Sequence, residues 1–280
     1  MKRIITVQDI SCVGKCSLTV ALPIISAAGV EAGVLPTAVL STHTMFSKFT
    51  FCDLTDEIQG ISDTFLELGL DFDAIYTGYL GSFRQLGLVS DFIDRFGKDA
   101  QVVIDPVMAD NGKLYQGFTP EFAKAMAQLC AKADLIIPNI TEASFMLDIP
   151  YRPDYDEEYI RELLKKLATL GCPHVALSGI SFESDKIGVY YYDAEADEYY
   201  SYFNRRLDAS FHGTGDTYAS ATLGAMMRGF DIKTSLSIAV DFTLRAMELT
   251  LADPDHRFYG VNFEEALPYY IELLKDKDRK

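Results

Sequence analysis

The chain has 280 residues and a formal net charge of −16, with 49% apolar residues. That charge opposes binding to nucleic acid or to anionic membrane surfaces, and no apolar run approaches the roughly 18 residues of a membrane span. The five cysteines are odd in number and widely spaced, apart from Cys12 and Cys16. No second pair or histidine cluster completes a zinc set, so free thiols in a reducing cytoplasm are expected. The first residues, Met-Lys-Arg-Ile-Ile-Thr-Val, enter a strand-like run with no signal-type apolar region.

Strand-like and helix-like runs alternate along the chain. Arg3–Val7 is a short β-rich run, and Ser17–Ala28 reads as a helix that Pro23 kinks or restarts. Gly33–Leu40 is extended. Over 53–68 the spacing is helical, with Ile58, Ile61, Phe65 and Leu68 on one side. Ala74–Thr77 reads as a strand, Phe83–Phe96 as a helix, and Val102–Asp105 as a strand stopped by Pro106. A helix over Pro120–Lys132 precedes a buried strand at Leu135–Pro138. Glu157–Leu170 is a charged helix closed by Gly171, and His174–Ser178 is a strand. Lys186–Tyr192 and Glu198–Phe203 read as antiparallel strands around an acidic turn, their tyrosines alternating between faces. From Thr214 the chain is mostly helical, and the charged tail Lys275–Lys280 is expected to fray.

Alternation of this kind predicts an α/β fold: a mostly parallel sheet covered on both faces. No repeat or Pro/Gly/Ser-rich linker interrupts it, so one domain over 1–280 is expected. Ligands of such sheets bind beyond the carboxyl ends of the strands. Asp9, Ser41–Thr44, Gly78–Ser82, Asp105, Asn139 and Ser178 are all expected at that edge.

Residues 211–217 read Phe-His-Gly-Thr-Gly-Asp-Thr and lead into an Ala/Gly-rich helical stretch. Gly213 and Gly215 let the backbone turn so that N–H groups converge, and the helix adds the positive end of its dipole. Asp216 stands at the mouth of this anion hole. A base there suits proton removal from a hydroxyl that attacks a phosphoryl group. The alternative is a glycine turn with Asp216 as an ordinary N-cap.

Gly14-Lys15-Cys16-Ser17 is not a P-loop, because Asp9 stands where its first glycine belongs and Cys16 follows the lysine. Asp105 follows a strand and is either a Mg²⁺-orienting carboxylate or a turn former. Asn139 and Glu142 offer a phosphate donor and a holder of metal-bound water. Their spacing equally matches a capping box. In Ser41-Thr42-His43-Thr44 the histidine is expected to be structural, and the segment to line a substrate.

Asp105-Pro-Val-Met, Pro138-Asn-x-x-Glu142 and Gly213-Thr-Gly-Asp216 resemble, in order and rough spacing, the ribokinase-like superfamily. Ser41-Thr-His-Thr44 and Gly78-Tyr-Leu-Gly-Ser82 are similar to stretches of its pyridoxal kinases. The resemblance runs over nearly the whole chain. It implies an ATP- and Mg²⁺-dependent kinase acting on the 5′-hydroxymethyl group of a B6 vitamer, and a homodimer. Asp216 would be the base, and the amides of Gly213, Thr214 and Gly215 the anion hole. Asp105, Tyr115, Asn139 and Ser178 would lie around ATP, with Glu142 and Asp105 toward Mg²⁺. Thr44 and Tyr79 would line the pyridine pocket.

Members of that family commonly have Gln-Ser after the first strand, whereas this chain has Gln8-Asp9 with Ser11 two residues on. Asp9 and Ser11 are therefore the expected ring contacts. Asp9 could pair with a protonated ring nitrogen or with the aminomethyl group of pyridoxamine. His212 replaces the aspartate usual in related sugar kinases. Hydroxymethylpyrimidine kinase, which usually has cysteine in place of Asp216, is the alternative within the class. A non-catalytic vitamer binder is the alternative outside it. The negative charge opposes a nucleotide, so local donors and Mg²⁺ would have to hold it.

Overall fold

Apolar β-runs alternating with amphipathic helices build one nine-stranded sheet with helices on both faces, in a computed structural model that describes residues 1–276. The remaining residues of the tail, 277–280, on which fraying was expected, lie outside the described residues. The strands of the large sheet are β1 (Arg3–Val13), β2 (Glu31–Thr42), β3 (Phe51–Asp53), β4 (Ala74–Thr77), β5 (Gln101–Ile104), β8 (Leu135–Ile136), β9 (His174–Ile180), β10 (Lys186–Asp193) and β11 (Glu198–Arg205). A separate two-stranded hairpin joins β6 (Ala109–Asp110) to β7 (Lys113–Leu114). The helices are α1 (Leu18–Ala27), α2 (Thr55–Glu67), α3 (Phe83–Phe96), α4 (Pro120–Cys130), α5 (Ile140–Met146), α6 (Glu157–Ala168), α7 (Thr214–Met227), α8 (Ile232–Ala252) and α9 (Phe263–Leu273).

The sheet order is β11-β10-β9-β8-β5-β4-β1-β2-β3. The six strands from β9 to β2 pair in parallel, whereas β3, β10 and β11 add antiparallel edges. Two apolar cores form, one on each face. Ile5, Val7 and Ile75 point into one, and Ile4, Ala74 and Tyr76 into the other. Strands buried on both faces must read as continuous apolar runs, which is why β4 carries no exposed residue. Tyr190 and Tyr192 join the first core and Tyr191 the second, the alternation a strand imposes.

Several expectations shift. Strand β1 runs six residues past Val7, and α1 passes through Pro23 without ending there. Leu68 does not join the apolar side of α2. The helix stops at Glu67, Gly69 turns the chain at φ 62°, and Leu68 is 68% exposed. The short edge strand β3 and the β6–β7 hairpin were not foreseen. The hairpin turns on Asn111 and Gly112, both with positive φ, the geometry a two-residue reverse turn requires.

Candidate active site

Two helices begin side by side at the carboxyl edge of the sheet, and neither has a side-chain cap. Helix α7 starts at Gly213, which is left-handed at φ 76°; a Cβ there would stand 1.9 Å from the Lys15 carbonyl oxygen. Only glycine fits. Gly215 differs: its φ is not positive, and a Cβ would meet nothing within 4 Å. Of the two glycines expected to make the turn, Gly213 makes it and Gly215 leaves the first turn of α7 open to solvent. Thr214 donates its hydroxyl to the Phe211 carbonyl at 3.2 Å, which fixes that turn.

Asp216 is the third residue of α7, so it is not the N-cap. The backbone N–H of Ser17 faces its carboxylate and favours the charged form. Burial pushes its pKa from 3.8 up to about 7, the Ser17 N–H pulls it back, and the Asp9 charge adds to the rise.

Ser17 stands immediately before α1 at φ 48°, ψ −130°, a region that a residue with a Cβ seldom enters. Its hydroxyl donates to Asp9 Oδ1 at 2.6 Å. Asp9 is not at the end of its strand as expected. It lies inside β1, where pairing with β2 slips: Gln8 faces Pro36 and Ile10 faces Val39. On the other side, pairing with β4 stops at Val7, so Asp9 still lies past the end of that neighbour. It is 5% exposed, and burial raises its pKa while Ser17 and Ser11 partly offset the rise.

Ser11 has no exposed surface. It faces Asp9 and accepts the Cys16 thiol at 3.6 Å. The expected contact between Ser11 and substrate is corrected accordingly, because this side chain supports Asp9 from beneath. Tyr79 is half-buried with its ring 5.5 Å from Phe118, and its phenol is raised by burial and then by the Asp9 charge. Thr44 is exposed on the loop after β2.

His43 is held as a neutral ring. Met45 N–H donates to its Nδ1 at 3.1 Å, so Nε2 carries the proton and donates to the Tyr259 carbonyl at 3.0 Å. Both nitrogens are committed, as the structural reading of His43 requires. His212 packs against it at 4.4 Å between centroids, and burial lowers the His212 pKa to about 4.

Beside this centre lies a second acidic group. Asp105 follows β5 and Glu142 lies in the first turn of α5; both are buried. The capping box is complete: Asn139 Oδ1 accepts Glu142 N–H at 2.9 Å and Glu142 Oε2 accepts Asn139 N–H at 2.8 Å. Glu142 Oε1 also accepts Met108 N–H at 3.2 Å, and Asn139 Nδ2 donates to the Ala109 carbonyl at 2.8 Å. These bonds fasten α5 to the hairpin, leaving Asn139 one amide hydrogen for a ligand. Ser178 lies inside β9, bridged to Asn139, rather than at the strand end. Tyr115 follows the hairpin, and its phenol is raised by burial and then by the charges of Glu142, Asp110, Asp105 and Asp216.

Burial pushes Glu142 up to about 8, and it raises Asp105 well above the carboxylate range, with Glu142 and Asp216 adding to the rise. Among the described residues, no hydrogen bond reaches the Asp105 carboxyl. Two buried carboxylates, one without a donor, form a site that a hard cation would neutralise. No cluster of three or more His, Cys, Asp or Glu is present among the described residues. A cation here would keep much of its water and lean on phosphate oxygens, which is the habit of Mg²⁺.

The phosphomethylpyrimidine kinase family model matches residues 22–260. The chain belongs to that family. A provisionally assigned phosphomethylpyrimidine kinase from Bacteroides thetaiotaomicron, solved with pyridoxal, is 40% identical at a TM-score of 0.91, over 96% of this chain and 95% of that one. Pyridoxal kinase from Lactobacillus plantarum is 30% identical at a TM-score of 0.91, over 99% of each chain. Pyridoxine kinase from Bacillus subtilis is 29% identical over 76% of each chain. The chain is therefore an enzyme of a kinase family with the ribokinase-like fold.

Ser17 was missed as a functional candidate. The sequence shows it only as a helix start, and its role depends on a positive φ and on a contact eight residues back along the chain.

Proposed function

We propose that this chain transfers the γ-phosphoryl group of ATP to the 5′-hydroxyl of pyridoxal, pyridoxine or pyridoxamine, acting as one kinase domain over 1–280. The observation that carries this reading is Asp216, held at the opening of α7 with its pKa raised to about 7. A base of that strength can take a hydroxyl proton and is about half ionised at neutral pH. The hydroxyl oxygen then bonds to the γ-phosphorus, the bond to the β-phosphate oxygen breaks, and ADP leaves. The amides of Gly213, Thr214 and Gly215 face the phosphoryl oxygens, and the open side of Gly215 lets them approach.

Asp105 and Glu142 would hold hydrated Mg²⁺, which neutralises phosphate charge during transfer. Asn139, Ser178 and Tyr115 line the nucleotide side, with Thr44, Tyr79 and Asp9 on the vitamer side. Ser11 acts only through Asp9.

The second reading is hydroxymethylpyrimidine kinase, which the name of the matching family favours. Asp216 argues against it, because that relative usually has cysteine there. Retention of a base beside the anion hole likewise argues against a vitamer binder without turnover. An ADP-release screen over the three vitamers, hydroxymethylpyrimidine and a few sugars tests the proposal. Turnover confined to hydroxymethylpyrimidine would replace it, and vitamer binding without ADP would favour the binder. A homodimer in the cytoplasm completes the proposal, supported by the resemblance and by five free thiols. Among the described residues, no helix is long and apolar enough to cross a membrane.

A further inference from the structure

Ser17 faces both carboxylates of the centre. Its hydroxyl donates to Asp9 Oδ1 at 2.6 Å, and its backbone N–H faces Asp216 and favours that carboxylate's charged form. The backbone there is strained at φ 48°, ψ −130°, and the hydroxyl does not cap α1, although serine is among the preferred caps. The strain is held from the other side, because Gly213 sits against the Lys15 carbonyl so closely that a Cβ would stand 1.9 Å from it. Strain at a non-glycine residue, with the hydroxyl turned away from its usual partner, needs a compensating interaction. The bond to Asp9 is that interaction. No ion pair joins Asp9 or Asp216 to a basic side chain among the described residues. Lys15, the nearest lysine in sequence, is turned to Asn262 and Glu264. Ser17 is therefore what keeps two like charges apart and aimed.

The geometry points to Ser17 as a positioning residue of the transfer reaction: its hydroxyl anchors Asp9 while its N–H aims Asp216 at the substrate hydroxyl. This deepens the kinase reading and rests on it. Cys16, Tyr79, Tyr76, Tyr115 and Asp105 are the other titratable groups facing the pair. None of them donates to Asp9 or Asp216. Without the hydroxyl, Asp9 loses its largest stabilising partner, keeps only the lesser help of its own backbone N–H and of Ser11, and takes up a proton more readily. Its charge then acts less on Asp216.

The test uses Ser17→Ala, which keeps the Cβ, and Ser17→Gly, which also relieves the strain. Both are expected to lower kcat about 10-fold or more, the scale of a lost hydrogen bond to a charged group. The KM for ATP should stay unchanged, and the acid limb of the kcat–pH profile should move to lower pH. Ser17→Gly should melt no lower than wild type. A carboxyl-carbon NMR titration of the ligand-free protein gives a readout independent of turnover, in which the Asp9 carboxyl should titrate at higher pH in both variants. Wild-type kcat and acid limb in both variants would overturn the role, as would an unshifted Asp9 titration. Normal kcat in Ser17→Gly with loss only in Ser17→Ala would reduce Ser17 to a backbone constraint, which also overturns it. A wild-type enzyme that turns over no vitamer would overturn the kinase reading instead, and the NMR titration would still decide whether Ser17 holds Asp9.

Discussion

The hydroxyl of Ser17 donates to Asp9 Oδ1 at 2.6 Å, from a residue whose own N–H faces Asp216. Asp9 thus belongs to the reactive centre and neither caps a turn nor faces solvent. It lies close enough to Tyr79 to raise that phenol. A buried carboxylate on the vitamer side favours a cationic substrate group, and the aminomethyl group of pyridoxamine carries that charge near neutral pH. Asp9→Ser should lower kcat/KM for pyridoxamine relative to pyridoxal by roughly 5- to 150-fold, equivalent to about 1–3 kcal/mol. An unchanged ratio in side-by-side assays would remove Asp9 from vitamer choice.

Asp216 links activity to stability with opposite signs. Its folded pKa of about 7 lies above the ordinary 3.8, so the folded protein binds this proton more tightly than the unfolded chain does. The contribution to stability is complete below about pH 4 and is lost as pH rises through about 7. Asp216→Asn removes the buried charge. It should melt higher than wild type at pH 8, by on the order of 1–3 kcal/mol, with the gap closing toward pH 4. Thermal melts across that range check the sign. A variant less stable at pH 8 than at pH 4, relative to wild type, would contradict the raised pKa.

The two glycines of the α7 turn should respond differently. Gly213→Ala must place a Cβ 1.9 Å from the Lys15 carbonyl at φ 76°, so backbone has to move. A loss of more than about 1 kcal/mol is expected. Gly215→Ala meets open space and a helical backbone, so stability should be kept or slightly raised. The methyl group would nevertheless stand in the approach to the amides, and kcat/KM for ATP should fall. Equal stability losses in the two variants would contradict this division.

Glu142 and Asp105 should likewise separate. Glu142 accepts from both Asn139 and Met108, so Glu142→Ala breaks the capping box and frees the hairpin. A loss of about 1–3 kcal/mol in denaturant melts is expected. Asp105 accepts no hydrogen bond among the described residues, and Asp105→Asn removes one of two repelling charges. That variant should fold normally and need more Mg²⁺ for half-maximal rate. An unchanged Mg²⁺ titration would leave Asp105 without a metal role.

Much of the fold was legible because strands buried on both faces and helices with four-residue apolar spacing carry strong periodicity. Ile160, Leu163, Leu164 and Leu167 on α6 are one such set, all buried. The β6–β7 hairpin escaped notice because two-residue strands have no period. The site was legible where chemistry and backbone geometry coincide in consecutive residues, as at Gly213–Asp216 and Asn139–Glu142. It was not legible where contacts cross the chain. Ser11 reads as a polar ligand candidate, yet the fold turns it under Asp9 and Cys16. Ser17 reads as a helix start, yet its backbone strain and both of its partners are set by packing of α1 against α7.

The central claim is that Asp216 is the base for phosphoryl transfer to a B6 vitamer. Mass analysis of the vitamer after incubation with ATP and Mg²⁺, for wild type and Asp216→Asn, measures it most directly. A 5′-phosphorylated product from wild type, formed on the order of 10²–10⁴ times more slowly by the Asn variant, is the predicted result. No phosphorylated vitamer from wild type, or an Asn variant within about threefold of it, would contradict the claim.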